Sequence, residues 1–429
     1  MKAALDYCAK TLRKKNVDKF QCSLKTTSQH EMNLEGTEFS LIRTTKDNTL
    51  DISVIKANRK GSISLNRLDK EAIDEAADAA VELAAASNPD PDYDISPKQK
   101  AQRFSTGPKD AAAERMYELL KEYSTQVARL YPAVKLMETI FIHKQTNQHL
   151  INSNGVDFTA DQGVYTFSSV FSSKDGAKTT SFNYTGFAME ELAAPLLQRG
   201  ALDSLLRQSV EHLEAKPLAG KFTGDIILTP DCLTSILYFY SHIFLGDQAL
   251  IAKTSPFRDK LGQGVAHEKL TLAAKPTSPQ IADGYFITSD GFAAEDVTFI
   301  DRGILKSFML SQYGSKKTGF ERAKNQGGCW VVEPGDTDFE KLIAQIERGV
   351  LVARYSGGVP SPNGDFSGVA KNSYYIENGK IKHPVTETMI AGNLAEIFRN
   401  IKGISRQRIN YGTSILPYIL TEGVTISGK

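Results

Sequence analysis

The chain has 429 residues, 41% of them hydrophobic and 24% charged, which is typical of a globular protein, and its length exceeds what one hydrophobic core usually serves. Its 51 basic and 50 acidic residues leave a net charge of +1, so there is no surplus charge for a polyanion and nucleic acid is not a predicted partner. The four cysteines are scattered without CxxC spacing, so we expect reduced thiols rather than disulfides or a zinc ribbon. Because the first residues lack the apolar core of a signal peptide, we expect the protein to be cytoplasmic.

The first unit, residues 1–95, is predicted to be an α+β domain. Hydrophobic and polar residues alternate from Phe20 to Leu65 with short polar turns between them, which indicates an antiparallel meander. Asp69 then caps a helix that runs to about Ala86. The proline- and aspartate-rich segment 88–94 suits neither helix nor sheet, and we interpret it as an ordered crossing segment or a linker.

The second unit, residues 96–217, is predicted to be another α+β domain. Asp110 opens an amphipathic helix that Pro132 closes, and its heptad-like apolar stripe indicates either core packing or a subunit seam. Strands follow over 134–188, where Asn-Gly at 154–155 is a hairpin signal. A helix from about residue 190 to 214 completes the unit.

A strand and a helix between residues 225 and 246 organise the third unit. The apolar strand ends before Pro230, and Asp231 is placed to cap a helix. The charge-free run that follows has apolar residues at the three-and-four spacing of a buried helix. Because this run is shorter than the roughly 20 apolar residues that span a bilayer, we expect no association with a membrane.

The third unit, residues 218–429, is predicted to be a β-rich C-terminal domain around that central helix, so that the fold class is α+β with antiparallel meanders and flanking helices. The glycine-rich segment 251–264 is the expected mobile loop. The patterns predict strands at 268–274, 284–288, 295–300, 304–312 and 415–426, and helices at 338–348 and 392–402.

Several segments of this unit carry a resemblance to a known family. They are Val332-Glu-Pro-Gly-Asp-Thr337, Gly349-Val-Leu-Val352, Gly364-Asp-Phe-Ser367, Tyr375-Ile-Glu-Asn-Gly-Lys-Ile381, Pro384-Val385 and Met389-Ile-Ala-Gly-Asn-Leu394, with Lys260-Leu-Gly-Gln-Gly-Val265 after the central helix. On these residues the chain resembles the TldD/PmbA family, strongly from about residue 220 and more loosely before it. The resemblance implies dimers, and a TldE (PmbA)-like member that pairs with a TldD-like zinc subunit in a peptide-processing protease.

The central helix departs from the zinc-binding pattern of that family. The resemblance implies His-Glu-x-x-x-His on this helix and a cysteine near the C-terminus in zinc-binding members. Here Tyr238, Phe239 and Ile243 occupy the motif positions, and no cysteine follows Cys329. We therefore expect no catalytic residue, no metal ligand and no cofactor in this chain, with zinc in a TldD-like partner.

Two histidines are candidate replacements for the lost ligands. His242 lies one residue before the second motif position, about 100° round the helix, so we favour a hydrogen-bonded core residue over a ligand. His267 is followed by glutamate but has no second histidine at helical spacing, and we favour a place at a strand edge. Whether either of them binds a metal is open.

Glycines near the matched segments are candidates for the wall of a peptide cavity. Gly262, Gly264, Gly357 and Gly358, with His242, are the positions where a peptide backbone could approach closely, although turn formation alone would also explain the glycines. The sequence thus predicts a zinc-less subunit of a TldD/TldE-type metalloprotease that acts on small or unfolded peptides. The alternative is a homo-oligomeric peptide-binding or modulator protein, similar to a gyrase modulator, without protease activity.

Overall fold

Residues 2–428, which the computed structural model describes, form two β-sheets, one of eight strands and one of fourteen. The first sheet has the strand order β3-β2-β1-β5-β6-β4, and β7 and β8 also pair with β6. Its strands are β1 (Lys19–Glu35), β2 (Glu38–Lys56), β3 (Arg59–Leu65), β4 (Gln102–Thr106), β5 (Val134–Asn152), β6 (Asp157–Asp175), β7 (Lys178–Thr179) and β8 (Asn183–Met189).

Long antiparallel strands build this first sheet, as the alternating sequence predicts. The register of β1 runs from Lys19 to Glu35 against β2, and β1 also pairs with β5 through most of its length. Since β1 and β5 come from the first and second predicted units, the two units share one sheet. The boundaries 1–95 and 96–217 stay a prediction.

The second sheet has the strand order β13-β12-β11-β14-β22-β10-β15-β18-β19-β9, to which β16, β17, β20 and β21 are added. Its strands are β9 (Lys216–Pro217), β10 (Lys221–Leu228), β11 (Leu272–Ala274), β12 (Val297–Asp301), β13 (Ile304–Leu305), β14 (Trp330–Val332), β15 (Arg348–Val352), β16 (Arg354–Gly357), β17 (Asp365–Lys371), β18 (Ser373–Glu377), β19 (Lys380–Thr386), β20 (Met389–Asn393), β21 (Ile401–Asn410) and β22 (Ile415–Ser427). Most pairs are antiparallel, so the β-rich C-terminal region of the predicted α+β fold is confirmed.

Helices cover the faces of both sheets. They are α1 (Lys2–Lys14), α2 (Lys70–Ala86), α3 (Ala113–Leu130), α4 (Leu202–Glu211), α5 (Pro230–Tyr240), α6 (Asp247–Ile251), α7 (Gln312–Thr318), α8 (Phe339–Ala344) and α9 (Leu394–Arg399). The stripe on α3 is core packing, because Met116, Leu120, Tyr123 and Val127 are buried in one cluster with strand residues. No helix within residues 2–428 has the length and apolarity needed to cross a membrane.

The central helix α5 lies in the largest hydrophobic cluster. Leu233, Ile236, Leu237 and Tyr240 are buried there beside residues of β10, β15 and β22. Thr229 is the N-cap, and its hydroxyl accepts a hydrogen bond from the Cys232 N–H. The prediction that Asp231 caps the helix is therefore wrong, because Pro230 takes the first helical position and the cap must precede it.

Several predicted boundaries differ from the observed ones. The helix predicted over 190–214 is reduced to α4 and short 3-10 turns, since Pro195 and Gly200, with φ of +57°, interrupt it. The strand predicted over 284–288 leaves only an isolated bridge between Ile287 and Ala293. The strand predicted over 304–312 ends at Leu305. At the other end of that range, Ser311 is instead the N-cap of α7.

The aspartate-rich segment 88–94 is an ordered crossing segment. The Asp94 carboxylate pairs with Lys19 of the first sheet and with Lys316 of α7, the latter at 2.6 Å. Lys317 pairs with Asp90 at 2.8 Å. These ion pairs hold α7, which belongs to the C-terminal region, against the N-terminal lobe.

Candidate functional site

The candidate site includes the face of the central helix that points away from the core. Tyr238 is 57% exposed, and the His242 ring lies over it with 4.3 Å between ring centroids. The Nδ1 atom of His242 is 2.8 Å from the Tyr238 carbonyl oxygen, so Nδ1–H donates there and Nε2 is the acceptor nitrogen. His242 therefore directs Nε2, and not Nδ1, toward its surroundings.

The prediction of a core position for His242 is wrong in one respect. The side chain is hydrogen-bonded, as expected, but it is exposed. The reason is that Ile243 packs against the core, and the preceding residue is turned about 100° round the helix from it. The helix also widens into a π turn over Ser241–Leu245.

A cavity of about 330 Å³ opens beside His242. Its wall includes Asp290, whose carboxylate accepts two hydrogen bonds of 2.9 Å from Arg322 and one of 2.6 Å from the Thr288 hydroxyl. Burial raises the pKa of Asp290, but the Arg322 guanidinium, the Thr288 hydroxyl and the Gln312 N–H together outweigh burial, and the pKa lies below its ordinary value. Asp290 is thus a charged, rigidly held wall residue.

A second cavity, of about 440 Å³, shares Ser289 and Gln326 with the first. It lies against the polar face of the N-terminal sheet, and its lining includes Gln21, Ser23, Lys25, Asp51, Ser53, Lys60, Ser62 and Ser64. The Gln21 amide donates to the Ser289 carbonyl at 3.0 Å, while its buried Oε1 has no hydrogen-bond partner among the described residues. We call the two cavities together the His242 cleft.

Lys60 adds a positive charge to the lining of the His242 cleft, which also contains the negative charge of Asp290. The residue as a whole is exposed, but it lines the cavity, and partial burial lowers its pKa while the charge of Asp290 opposes that change. Opposite charges therefore stand on the two sides of the cleft. Sequence reasoning missed this part, although the alternating polar residues Asp51 and Ser53 of β2 and Ser62 and Ser64 of β3 were a signal for a polar sheet face.

The predicted site residues fall into two places. Phe239 contacts the Tyr355 ring edge-on at 6.4 Å, and the Tyr355 hydroxyl donates to the carbonyl oxygens of Ser367 at 3.0 Å and Gly358 at 3.4 Å. The turn at Gly357 and Gly358 therefore lies next to the central helix. As far as the described residues show, none of the four predicted glycines lines the His242 cleft.

The glycine-rich loop lies against β13 instead. The Gly262 N–H donates to the Leu305 carbonyl at 2.8 Å, and the Leu305 N–H donates to Gln263 at 3.0 Å. Gly264 forms an isolated bridge with Ile304. The structure thus does not bring Gly262 and Gly264 together with His242 in the cavity.

The side chains that could bind a metal form no cluster in the part of the chain that the structure describes. Within residues 2–428, no group of three His, Cys, Asp or Glu side chains is close enough to hold a metal ion. Tyr238, Phe239 and Ile243 supply no imidazole or carboxylate, and the His267 Nδ1 accepts a hydrogen bond from the Lys269 N–H at 3.1 Å. His267 lies in a turn rather than at a strand edge, since β11 begins only at Leu272.

Comparisons with known proteins cover both ends of the chain. A family model described as PmbA/TldA metallopeptidase domain 1 matches residues 23–84, and one described as PmbA/TldA metallopeptidase C-terminal domain matches residues 220–428. The Metalloprotease PmbA homolog of Haemophilus influenzae is 26% identical over 92% of this chain and 88% of its own length. Metalloprotease PmbA of Escherichia coli O157:H7 is 25% identical over 91% of this chain and 88% of its own length.

Solved structures share the fold over the whole chain. TldE from Thermococcus kodakarensis superposes with a TM-score of 0.85 at 20% identity, covering 99% of this chain and 100% of that one. A proposed modulator of DNA gyrase from Bacteroides thetaiotaomicron superposes with a TM-score of 0.88 at 20% identity, covering 100% of this chain and 99% of that one. At this identity the likeness is one of fold.

Proposed function

This chain belongs to the PmbA/TldD metallopeptidase family, and from that premise we propose that it is a subunit without zinc of its own that works beside a TldD-like zinc subunit on small or unfolded peptides. The observation that carries the proposal is the side-chain set of the central helix. Tyr238, Phe239 and Ile243 stand where the family resemblance implies two zinc ligands and a general base. One imidazole, that of His242, falls short of the three protein ligands of a catalytic zinc site.

The exposed apolar side chains around the helix support a partner surface. Tyr238 is 57% exposed and Val359, which follows the Gly357-Gly358 turn, is 83% exposed. The Phe239–Tyr355 contact and the Tyr355 hydrogen bond to Gly358 connect this turn to the helix. Because tyrosine is enriched at interface centres and a strongly exposed apolar side chain beside it adds apolar area, we propose that this face meets the TldD-like subunit.

The His242 cleft would supply a wall for the peptide. Its serine, glutamine, lysine and aspartate side chains offer both donors and acceptors, and an extended peptide leaves its own amides and carbonyls in need of partners. In this proposal the zinc subunit carries out the chemistry, and this chain positions the substrate. The pair would act in the cytoplasm.

A homo-oligomeric peptide-binding or modulator protein is the second candidate. The observation in its favour is that this one chain by itself forms a cleft lined by hydrogen-bond donors and acceptors. Such a protein would bind unfolded peptides without cleaving them and would not need a zinc partner.

The test is to purify the chain alone and after co-expression with a TldD-like subunit from its host. We expect no stoichiometric zinc and no cleavage of an unfolded casein substrate by the chain alone, and a complex with about one zinc, the number of one catalytic site, that cleaves it. Native mass spectrometry and elemental analysis give both numbers. About one zinc per isolated chain would contradict the proposal.

Surface variants test the proposed contact. Tyr238→Asp places a charge on the proposed contact face and should weaken the complex, whereas Leu83→Asp, at an exposed leucine of α2, should not. Equal complex formation by both variants would remove this face from the interface. A self-association that persists without the zinc subunit and binds casein without cleaving it would favour the second candidate.

A further inference from the structure

A small polar cavity of about 160 Å³ lies between β8, the N-terminus of α5 and the segment that precedes β22. Its polar lining includes Asn183, Thr185, Gly186, Asp231, Arg354 and Tyr411. The described residues that line it are different from those of the His242 cleft. It is therefore a second candidate site, independent of the proposed function.

Two buried polar atoms of this cavity, Asn183 Nδ2 and Thr185 Oγ1, have no hydrogen-bond partner among the described residues, on side chains that are each 3% exposed. The Tyr411 hydroxyl, on a side chain 5% exposed, interacts with the Asp231 carboxylate without well-formed hydrogen-bond geometry. Folded proteins rarely leave buried polar atoms unpaired, so three under-satisfied groups around one cavity are an unusual concentration. A polar group that enters the cavity would complete their hydrogen bonds.

The edge of β8 adds backbone groups to the same wall. The Ala188 N–H donates to the Tyr411 carbonyl at 2.7 Å, which points away from β6. Because successive residues of a strand direct their N–H and C=O groups to opposite edges, Gly186 presents its own N–H and C=O on the same side as Ala188. The Cβ that Gly186 lacks would face β6, 3.0 Å from the Phe167 carbonyl oxygen, so the glycine is explained by close packing on that side, and only its backbone groups face outward.

The charge in the cavity is negative on the side of the central helix. Burial raises the pKa of Asp231 to about 6, and the Tyr411 hydroxyl opposes that shift, although it does not complete a well-formed hydrogen bond. Within the described residues no lysine, arginine or histidine forms an ion pair with Asp231. The Arg354 guanidinium, which also lines the cavity, lies over the rings of Phe182 and Tyr184 at 4.8 and 4.5 Å and forms no ion pair with Asp231 among the described residues.

We propose that this cavity binds the ammonium end of an α-amino compound, either the amino terminus of a short peptide or a free amino acid. The ammonium would lie between Asp231 and the Tyr411 hydroxyl, and the neighbouring carbonyl oxygen would accept a hydrogen bond from Asn183 Nδ2. The Gly186 edge would pair with the next amide. A volume of about 160 Å³ is below the roughly 300 Å³ of a drug-sized pocket and suits one or two small residues.

The test is calorimetric titration of the full chain with glycylglycine, glycine and N-acetylglycylglycine. We expect binding of the first at millimolar concentration or tighter and at least about a tenfold loss on N-acetylation, which removes the charge. Equal affinity for glycine and glycylglycine assigns the site to free amino acids, and a clear preference for glycylglycine assigns it to peptide amino termini. No heat for either compound at about 10 mM, well above a millimolar dissociation constant, overturns the proposal.

Two variants and one control locate the site. Asp231→Asn keeps the shape of the side chain and should weaken binding about tenfold, whereas Asp259→Asn, in an exposed loop, should leave it unchanged. Thr185→Val removes a buried unpaired hydroxyl, so it should weaken binding while the melting temperature stays equal or rises. If Asp231→Asn and Asp259→Asn bind glycylglycine equally, the cavity is not the site.

Discussion

The guanidinium of Arg322 donates one hydrogen bond of 2.9 Å to each oxygen of the Asp290 carboxylate. The same guanidinium lies 3.6 Å from the centre of the Phe292 ring. Both partners of the pair are less than one-fifth exposed. A two-point pair of this kind fixes the orientation of both side chains, so one wall of the His242 cleft is rigid.

We expect Arg322→Met to lower the free energy of unfolding by about 2–3 kcal/mol, because the Asp290 carboxylate then remains partly buried without its counter-charge. The matched control is Lys324→Met. Lys324 and its partner Glu295 are 60% and 61% exposed, so the loss of this pair should cost much less stability than the loss of the Arg322–Asp290 pair. Urea denaturation of both variants measures the difference, and equal costs would contradict the assignment.

The ion pairs of Asp94 should make the junction between the two regions sensitive to acid. Burial raises the pKa of Asp94, but Lys19, Lys316 and the Ile95 N–H together lower it to about 2. Since the folded pKa lies below the unfolded one, the contribution is complete above about pH 4 and is lost as the pH falls toward 2.

Asp94→Asn should therefore destabilise the protein at neutral pH by on the order of 1–2 kcal/mol, after allowance for the solvent around both lysines. The gap between wild type and variant should close between about pH 4 and pH 2. Asp78→Asn is the control, because its pair with Lys15 involves a 63% exposed aspartate. If the difference in unfolding free energy between wild type and Asp94→Asn does not change with pH, the variant is destabilised by the shape of the amide and not by the loss of charge.

The glycines of the two predicted loops should respond differently to substitution. Gly262 has φ of +78°, so Gly262→Val should cost about 1–2 kcal/mol of stability. Gly358 has no positive φ and open space around its Cα, so Gly358→Val should change stability by less than about 0.5 kcal/mol. Melting temperatures of the two variants test this directly.

The same Gly358→Val variant probes the proposed function. In the reconstituted pair it should slow casein cleavage without lowering the melting temperature, since the new side chain would stand beside the Phe239–Tyr355 contact on the proposed contact face. Unchanged cleavage would show that this turn does not border the peptide. Gly357→Val is not a usable control, because its Cβ would lie 2.3 Å from the Tyr355 hydroxyl oxygen.

The four thiols should react slowly in the native protein. Cys8, Cys22 and Cys232 are buried, and burial raises the pKa of both Cys232 and Cys329 to about 12. The hydrogen bond with Cys8, followed by burial, raises the pKa of Cys22. Because thiolate is the reactive form, native labelling by Ellman's reagent should be at least about a hundredfold slower than in guanidinium chloride.

Cys329 is only partly buried, so it should be the first thiol labelled in the native state. Mass spectrometry of partially labelled protein identifies the order. Fast labelling of Cys8 or Cys22 would mean that α1 separates readily from β1.

Local patterns in the sequence were sufficient to predict the elements with strong periodicity. The Asp69 cap of α2 is confirmed by its hydrogen bond with the Ala72 N–H, and the apolar stripe of α5 is confirmed by its burial. The family was also within reach, because its motifs are contiguous in the chain. Short segments failed where side-chain hydrogen bonds, such as that of Ser311 with Gly314, replaced a strand by a cap.

Neither the His242 cleft nor the small cavity beside Asp231 could be predicted from the sequence, because each depends on contacts between distant residues. Gln21 meets Ser289, and Ala188 meets the Tyr411 carbonyl, across more than 200 residues of sequence in each case. No period or motif records such a contact. The exposure of His242 was also missed, since it follows from how deeply Ile243 is packed.

The position of β22 in the second sheet affects how the chain folds while the ribosome synthesises it. This strand pairs with β10, β14, β20 and β21, and Ile227 lies opposite Leu420. At roughly 5–20 residues per second, the 193 residues from Leu228 to Leu420 take about 10–40 s to synthesise. During that time the edge of β10 that later pairs with β22 has no neighbour, whereas the N-terminal sheet is complete once Met189 has emerged. Because an apolar strand edge without its partner is prone to aggregation, the C-terminal half is the part at greater risk of misfolding during synthesis.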